Sequence, residues 1–199
     1  MRRKTFDLML TAGGAALTVI LIAAGALLLW GNSFSESEVH NQLAMQQVYF
    51  PTKAQLAHPT GTEVRKTMIP YLSPYAGQQV LTGPQAQTYA THFIRIHLSE
   101  MPFGGVYSKV SMASRAHPTT AKLAGLVQTV FQGTTLRAML LEAYGFSIFG
   151  ELAFDGALAA FAAAGALIIL TGLGLWHIRR VPAEEEFPKT LGSVSTKVA

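Results

Sequence analysis

The fold is decided first by a charge-free stretch at residues 8 to 30, LMLTAGGAALTVILIAAGALLLW. As an α-helix, its 23 residues cover about 34 Å, which is enough to cross a hydrocarbon core of about 30 Å. A second charge-free stretch covers residues 156 to 176, GALAAFAAAGALIILTGLGLW. Both stretches end in tryptophan, which favours the membrane–water interface. The sequence therefore predicts two transmembrane helices.

The overall composition agrees with a membrane protein, since half of the 199 residues are hydrophobic and only 13% are charged. There is no cysteine, which excludes disulfides, thiolate-bound metals and cysteine nucleophiles. Residues 31–150 carry eight basic and five acidic side chains, spread singly along the segment. Such a distribution lacks the basic stripe of a nucleic-acid-binding surface, so no nucleic-acid partner is predicted.

The direction of the two spans is indicated by basic residues at their outer ends. A basic run at residues 2–4 precedes the first span, and Arg179 and Arg180 follow the second. Because basic flanks stay on the cytoplasmic side, both termini are predicted to be cytoplasmic and residues 31–150 extracytoplasmic. The first apolar stretch is longer than a signal-peptide core and is not followed by a small-residue cleavage site, so we expect an uncleaved anchor.

The predicted fold class is an all-α membrane protein with a mainly helical extracytoplasmic domain between the two spans. The last loop helix is predicted to continue into the second span. The tail has too little apolar content to fold alone, which predicts disorder. The predicted divisions are a cytoplasmic N-terminus at 1–7, a transmembrane helix at 8–30, the extracytoplasmic domain at 31–150, a transmembrane helix at 151–178 and a disordered cytoplasmic tail at 179–199.

The extracytoplasmic segment contains several helix start and stop signals. Ser35 and Glu38 have capping-box spacing, which predicts that a short helix begins there and runs to about Gln46. Thr82, Gly83 and Pro84 predict the start of a helix that reaches about Leu98. Short strands are not excluded at 47–50 and 79–81, although neither stretch is long enough to form the basis of a sheet.

Three more helices are predicted between residue 106 and the second span. The first runs from 106 to about 115, and the second runs from 118 to Gly133, which is predicted to be its C-cap. Thr134 or Thr135 then caps a helix that has no proline before the second span. This last helix is predicted to be about 45 residues long.

Two histidines and a carboxylate, His92, His97 and Glu100, fall within nine residues and are the candidate metal ligands. His97 and Glu100 share one face of an α-helix, but residues five apart are about 140° apart around the axis, which separates His92 from them. The sequence therefore predicts no metal site and no bound cofactor.

Glu151 and Asp155 lie four residues apart at the edge of the second span. These carboxylates could form a proton entry site or bind a basic partner. The favoured interpretation is that they are simply solvated at the membrane interface. Small residues at four-residue spacing indicate close helix packing, between the spans or against another membrane protein. The candidate packing residues are Ala12, Gly14, Ala16, Thr18, Gly156, Ala160, Ala164, Gly165 and Gly172.

Several short motifs together resemble a known family. They are Pro74-Tyr75-Ala76-Gly77-Gln78-Gln79-Val80, Gly83-Pro84-Gln85-Ala86, Ala90, His97-Leu98, Gly104-Gly105-Val106-Tyr107 and the Leu136–Tyr144 run. The chain is similar to an actinobacterial family of small two-span membrane proteins, often labelled aromatic ring-opening dioxygenases. The resemblance implies an envelope protein. Extradiol ring opening requires iron held by two histidines and a carboxylate on one face, so no catalytic residue is carried over.

The leading hypothesis is a non-catalytic integral membrane protein, an accessory or scaffold subunit of a larger envelope or respiratory complex. Its partners would be the lipid bilayer and other membrane subunits. The alternative is an extracytoplasmic binding module for a lipid or other apolar ligand. Its candidate lining residues are Tyr71, Tyr75, Tyr89, Phe93, Phe103 and Tyr107. A metal-dependent enzyme is the third hypothesis.

Overall fold

The computed structural model describes residues 3–61 and 63–180, and these residues are mostly helical. The α-helices are α1 Arg3–Gln46, α2 Lys53–Ala57, α3 Ile69–Leu72, α4 Gly83–Tyr89, α5 Arg95–Glu100, α6 Tyr107–Ala116 and α7 Ala121–Arg180. A π-helical segment, Ala90–Ile94, joins α4 to α5, and 3-10 turns cover Ser73–Tyr75 and Pro102–Gly105. The predicted all-α class is confirmed. Most of the predicted tail, residues 181–199, lies outside the described residues.

Two of these helices, α1 and α7, are long and apolar enough to cross a membrane. They contain the two charge-free stretches, so the prediction of two candidate spans is confirmed. Most of the large apolar side chains in these stretches are exposed, including Leu10 at 68% and Ile169 at 66%. A protein without a surrounding apolar solvent would bury such side chains, so the two helices indicate membrane association.

The prediction that a separate helix begins at Ser35 is wrong. Helix α1 continues through this position. Ser35 is a buried residue of α1, and its hydroxyl donates to the Phe146 carbonyl at 2.8 Å. The serine therefore bonds to another helix instead of capping its own. The predicted end at Gln46 is confirmed.

The prediction that Gly133 ends a helix is also wrong. Helix α7 runs without a break from Ala121 to Arg180, which makes it 60 residues long instead of the predicted 45. A Cβ at Gly133 would lie 2.8 Å from Leu98 Cδ2. The glycine therefore serves the close approach of the Leu98 side chain to α7 and does not act as a C-cap. The prediction that this helix continues without a break into the second charge-free stretch is confirmed.

The chain divides into two compact units. One contains the described residues up to Trp30 and from Phe154 onwards, and the other is Gly31–Ala153. The core of the 31–153 unit consists mainly of aliphatic side chains and also contains the buried Phe50 ring. Its most deeply buried large members are Leu43, Val64, Met68, Leu72, Val80, Val110, Val130 and Leu140.

Two extended stretches after α1 and before α4 pair in the 31–153 unit. Phe50 N donates to Gln78 O at 2.9 Å, and Val80 N donates to Val48 O at 2.8 Å. The pairing amounts to an isolated bridge in the described part of the chain, which agrees with stretches too short to form a sheet. Gln79 Nε2 also donates to Ala44 O at 2.8 Å, so this pairing satisfies a carbonyl at the end of α1.

Helix α4 begins as the sequence predicts. Thr82 and Gln85 form a capping box, in which each side chain bonds to the other residue's backbone N–H. Gly83 follows and lies against α7, where a Cβ would be 1.8 Å from Ser147 Oγ. Only a residue without a side chain allows this approach, so Gly83 fixes the position of α4 on α7.

Candidate functional site

The predicted packing residues all belong to the unit that contains the two charge-free stretches, and they fall into two groups. Thr18 and Ala164 are buried, and a Cβ at Gly14 would lie 2.9 Å from Thr171 Oγ1. A Cβ at Gly156 would lie 3.3 Å from Leu28 Cδ1, so these positions lie where the two helices meet. Ala12, Ala16 and Gly172 are exposed, and Ala160 and Gly165 are half-buried.

Sequence reasoning missed part of this helix contact. Thr11 and Gly25, which were not among the predicted packing residues, are buried on α1 seven residues before and after Thr18, and Ala157 is buried on α7. A Cβ at Gly25 would lie 2.9 Å from the Phe161 ring. The seven-residue spacing was visible in the sequence and is typical of antiparallel helices with small interface residues.

The buried threonines of this contact satisfy their hydroxyls within α1. Thr11 Oγ1 donates to Asp7 O at 2.7 Å, and Thr18 Oγ1 donates to Gly14 O at 2.8 Å. Because an unpaired hydroxyl is costly in an apolar environment, these bonds allow threonine to act as a small packing residue.

An apolar groove of about 620 Å³ opens on the surface of the same unit. Glycines form part of its walls, and leucines form most of the rest. It is lined by Met9, Leu10, Thr11, Gly13, Gly14, Leu17, Leu167, Leu170, Thr171 and Gly174. A Cβ at Gly13 would meet no atom within 4 Å, so the groove has room for side chains from another molecule.

The three candidate metal ligands each have a separate partner. The His92 ring stacks on Tyr71 with 3.6 Å between centroids, and His97 Nδ1 lies 2.8 Å from the Phe93 carbonyl oxygen. The Glu100 carboxylate accepts from the Arg65 guanidinium at 2.5 and 2.9 Å. No group of three histidine, aspartate or glutamate side chains suited to a metal occurs within residues 3–61 and 63–180. Burial, followed by the charge of Arg95, lowers the pKa of His92.

Three of the six candidate ligand-lining aromatics lie together. Phe50 contacts Tyr75 at 5.1 Å and Tyr89 at 5.4 Å between ring centroids, and Tyr89 contacts Phe93 at 4.7 Å. All three candidates pack against the hydrophobic core of the 31–153 unit. Burial, followed by the charge of Glu63, raises the pKa of Tyr89 to about 12.

The other three aromatics lie apart from this cluster. Tyr71 stacks on His92, and Phe103 is 48% exposed in the turn before α6. Tyr107 packs on Phe131, with 5.8 Å between centroids, and lines a separate pocket described below. The six residues therefore do not surround one common cavity.

A second groove, of about 500 Å³, lies in the 31–153 unit at the start of α4. It is lined by Glu36, Ser37, Val39, His40, Asn41, Leu81, Thr82, Gly83, Pro84, Ser147 and Glu151. Glu151, one of the two predicted interfacial carboxylates, is an exposed member of this wall. Asp155 is also exposed and belongs to the other unit.

Another pocket of the 31–153 unit brings together two arginines that sequence reasoning missed. Arg95 and Arg137 both line a cavity of about 310 Å³ beside the Pro102–Gly105 turn. No local pattern could have indicated this pair, because 42 positions separate the two residues and only the packing of α5 on α7 joins them.

Comparison with known proteins adds no relative. The chain matches no protein-family model, and neither the characterised proteins nor the solved structures give a significant match.

Proposed function

We propose that this protein is a non-catalytic integral membrane protein, an accessory or scaffold subunit of a larger membrane complex. In this proposal α1 and α7 cross the membrane, both termini are cytoplasmic and the 31–153 unit is extracytoplasmic. The observation that carries the proposal is the glycine-lined groove on the membrane-spanning unit. We propose that a transmembrane helix of another protein occupies it.

The chemistry of the groove supports a helix as the occupant. Helices associate in membranes mainly through close backbone contact, which small residues allow. Gly13 and Gly14 are adjacent on α1, and Gly174 lies on the α7 wall. Gly14 and Gly174 already face threonines across the helix pair, whereas Gly13 faces open space. Gly13 therefore offers backbone contact that the two spans do not use themselves.

Affinity purification in a mild detergent tests this proposal. We expect the full chain to retain a stoichiometric membrane-protein partner, and Gly13→Leu to lose it because the leucine side chain would fill the groove. Gly172→Leu is the matched control, since Gly172 also has nothing within 4 Å of a Cβ but does not line the groove. Recovery of only a monomer or homodimer from wild type, or equal partner retention by Gly13→Leu and Gly172→Leu, would contradict the proposal.

A second candidate function is an extracytoplasmic binding module for a lipid or other apolar ligand. The groove at the start of α4 favours it, because about 500 Å³ lies within the range of small-molecule sites and its walls combine apolar and polar groups. Mass spectrometry of lipids that co-purify with the chain tests this candidate. We expect Leu81→Arg to release a ligand held in this groove, and unchanged lipid content would argue against it.

A further inference from the structure

We propose that the pocket lined by Arg95 and Arg137 binds a phosphate or phosphate ester. The pocket lies between α5, the Pro102–Gly105 turn, the start of α6 and α7, within the 31–153 unit. Its volume of about 310 Å³ is at the small end of the range for ligand sites, which suits a compact anion.

The charge of the pocket walls is the first argument. Two arginines, the exposed Arg95 and the half-buried Arg137, line the cavity, and no aspartate or glutamate does. The acidic residue nearest in sequence to the α5 wall is Glu100, and its carboxylate is already paired with Arg65. Two like charges that share a pocket repel each other unless an anion lies between them. The pocket is therefore suited to an anion.

The hydrogen bonding of the two arginines is the second argument. Arg137 Nε is buried and has no hydrogen-bond partner among the described residues. A buried donor without an acceptor is costly, so a ligand oxygen at this position would remove that cost. Arg95 Nε donates to Thr91 O at 3.2 Å, which leaves its terminal nitrogens for a ligand.

The start of α6 is the third argument. Val106 and Tyr107, the N-cap and first residue of this ten-residue helix, both line the pocket. Val106 has no side-chain cap bond, so the first N–H groups of α6 lack the acceptor that a polar N-cap would supply. Helix N-termini favour negative charge, and phosphate oxygens are well suited to them.

These three features together favour phosphate over a carboxylate. A carboxylate has two oxygens in one plane, whereas a phosphate directs its oxygens to several sides. Donors in this pocket belong to three separate elements, α5, α7 and the start of α6. Guanidinium groups also bind phosphate in a bidentate manner.

Isothermal titration calorimetry of the full chain in an uncharged sugar detergent tests the proposal, with inorganic phosphate and glycerol phosphate as probes. We expect saturable binding that weakens as salt is added. Arg137→Gln should weaken it by about tenfold to a hundredfold, because a charge-assisted bond is lost, and Arg95→Gln should weaken it by a smaller factor. Arg115→Gln, which removes the same charge from an exposed position outside the pocket, should leave it unchanged.

Several results would overturn the proposal. They are absence of binding by wild type, equal affinity for acetate, or equal loss in Arg115→Gln and Arg137→Gln. Circular dichroism of each variant shows whether it has lost its fold. If Arg137→Gln does not fold, Arg95→Gln provides the second test. A dihexanoyl phosphatidic acid titration separates the two sources of phosphate. Affinity well above that of glycerol phosphate indicates a lipid headgroup, and equal affinity indicates a free phosphate ester.

Discussion

At the scale of single residues, the turn before α6 has an unusual backbone. Phe103, Gly104 and Gly105 have φ values of 59°, 67° and 62°, in the left-handed region. Gly105 is also buried, and a Cβ there would lie 2.1 Å from the Leu98 carbonyl oxygen. Glycine is therefore required at 105 for two reasons, its dihedral angles and the space it leaves for the end of α5.

Gly105→Ala is expected to lower the free energy of unfolding by about 3 kcal/mol or more, because the new methyl group meets backbone that cannot move aside. Gly104→Ala is the matched control. It has a similar φ but open space around its Cβ, so we expect a loss of about 1 kcal/mol. Thermal unfolding of the full chain in detergent measures both. Equal losses in the two variants would contradict the steric argument.

Tyr89 leads to a prediction about pH. Its pKa is about 12 in the folded chain, above the value of about 10 for an exposed tyrosine, so the neutral phenol is favoured by folding. The contribution of the neutral Tyr89 phenol to the free energy of unfolding is present below about pH 10 and is lost as the pH rises through about 12. We expect Tyr89→Phe to have a flatter decline in stability between these pH values than wild type.

Absorbance titration of the phenolate band provides an independent measurement. The difference between wild type and Tyr89→Phe should show one tyrosine that ionises near pH 12. A difference centred near pH 10 would mean that the side chain is exposed.

At the scale of helices, the segment from Gly83 to Glu100 shows how tertiary contacts alter a regular helix. The sequence predicts one helix here, but a π-helical segment interrupts it at Ala90–Ile94. The π-helical segment changes which side chains share a face of the helix. The 140° separation that an α-helix would give between His92 and His97 therefore does not apply to this stretch. The His92 ring stacks on Tyr71, and the His97 ring packs at a tilted angle against Phe93.

Gly83→Ala tests the packing of α4 on α7. We expect a loss of about 1 to 3 kcal/mol, because the methyl group would overlap Ser147, whose Cβ lies 2.5 Å from the added atom. Gly145→Ala is the control on α7, two residues before Ser147. Nothing lies within 4 Å of its Cβ, so we expect it to gain up to about 1 kcal/mol from higher helix propensity.

Thermal unfolding in detergent, followed by far-ultraviolet circular dichroism, gives the sign of both changes. Unchanged stability of the Gly83→Ala variant would show that α4 does not pack on α7 as described.

At the scale of the whole molecule, the absence of native cysteine makes the proposed topology directly testable. Ser108→Cys lies at an exposed position on α6, and Thr5→Cys lies at an exposed position before the first charge-free stretch. In intact cells, we expect a membrane-impermeant maleimide to label Ser108→Cys and to label Thr5→Cys only after permeabilisation. The reverse pattern would invert the topology, and labelling of both would contradict two crossings.

The sequence by itself determined the helical class and the two apolar stretches that are long enough to cross a membrane. Both depend on local properties, since hydropathy over about 20 residues and helical periodicity do not require knowledge of distant contacts. The cap at Thr82 was predictable for the same reason, because its partner Gln85 is three residues away.

Only the tertiary structure decided where helices continue and which side chains meet. Ser35 looked like a cap and Gly133 like a terminus, but a carbonyl of α7 and the Leu98 side chain gave each residue another role. Likewise, Arg95 and Arg137 share a pocket only because α5 packs on α7. Contacts between residues far apart in the chain depend on the packing of the whole unit, and no local pattern records them.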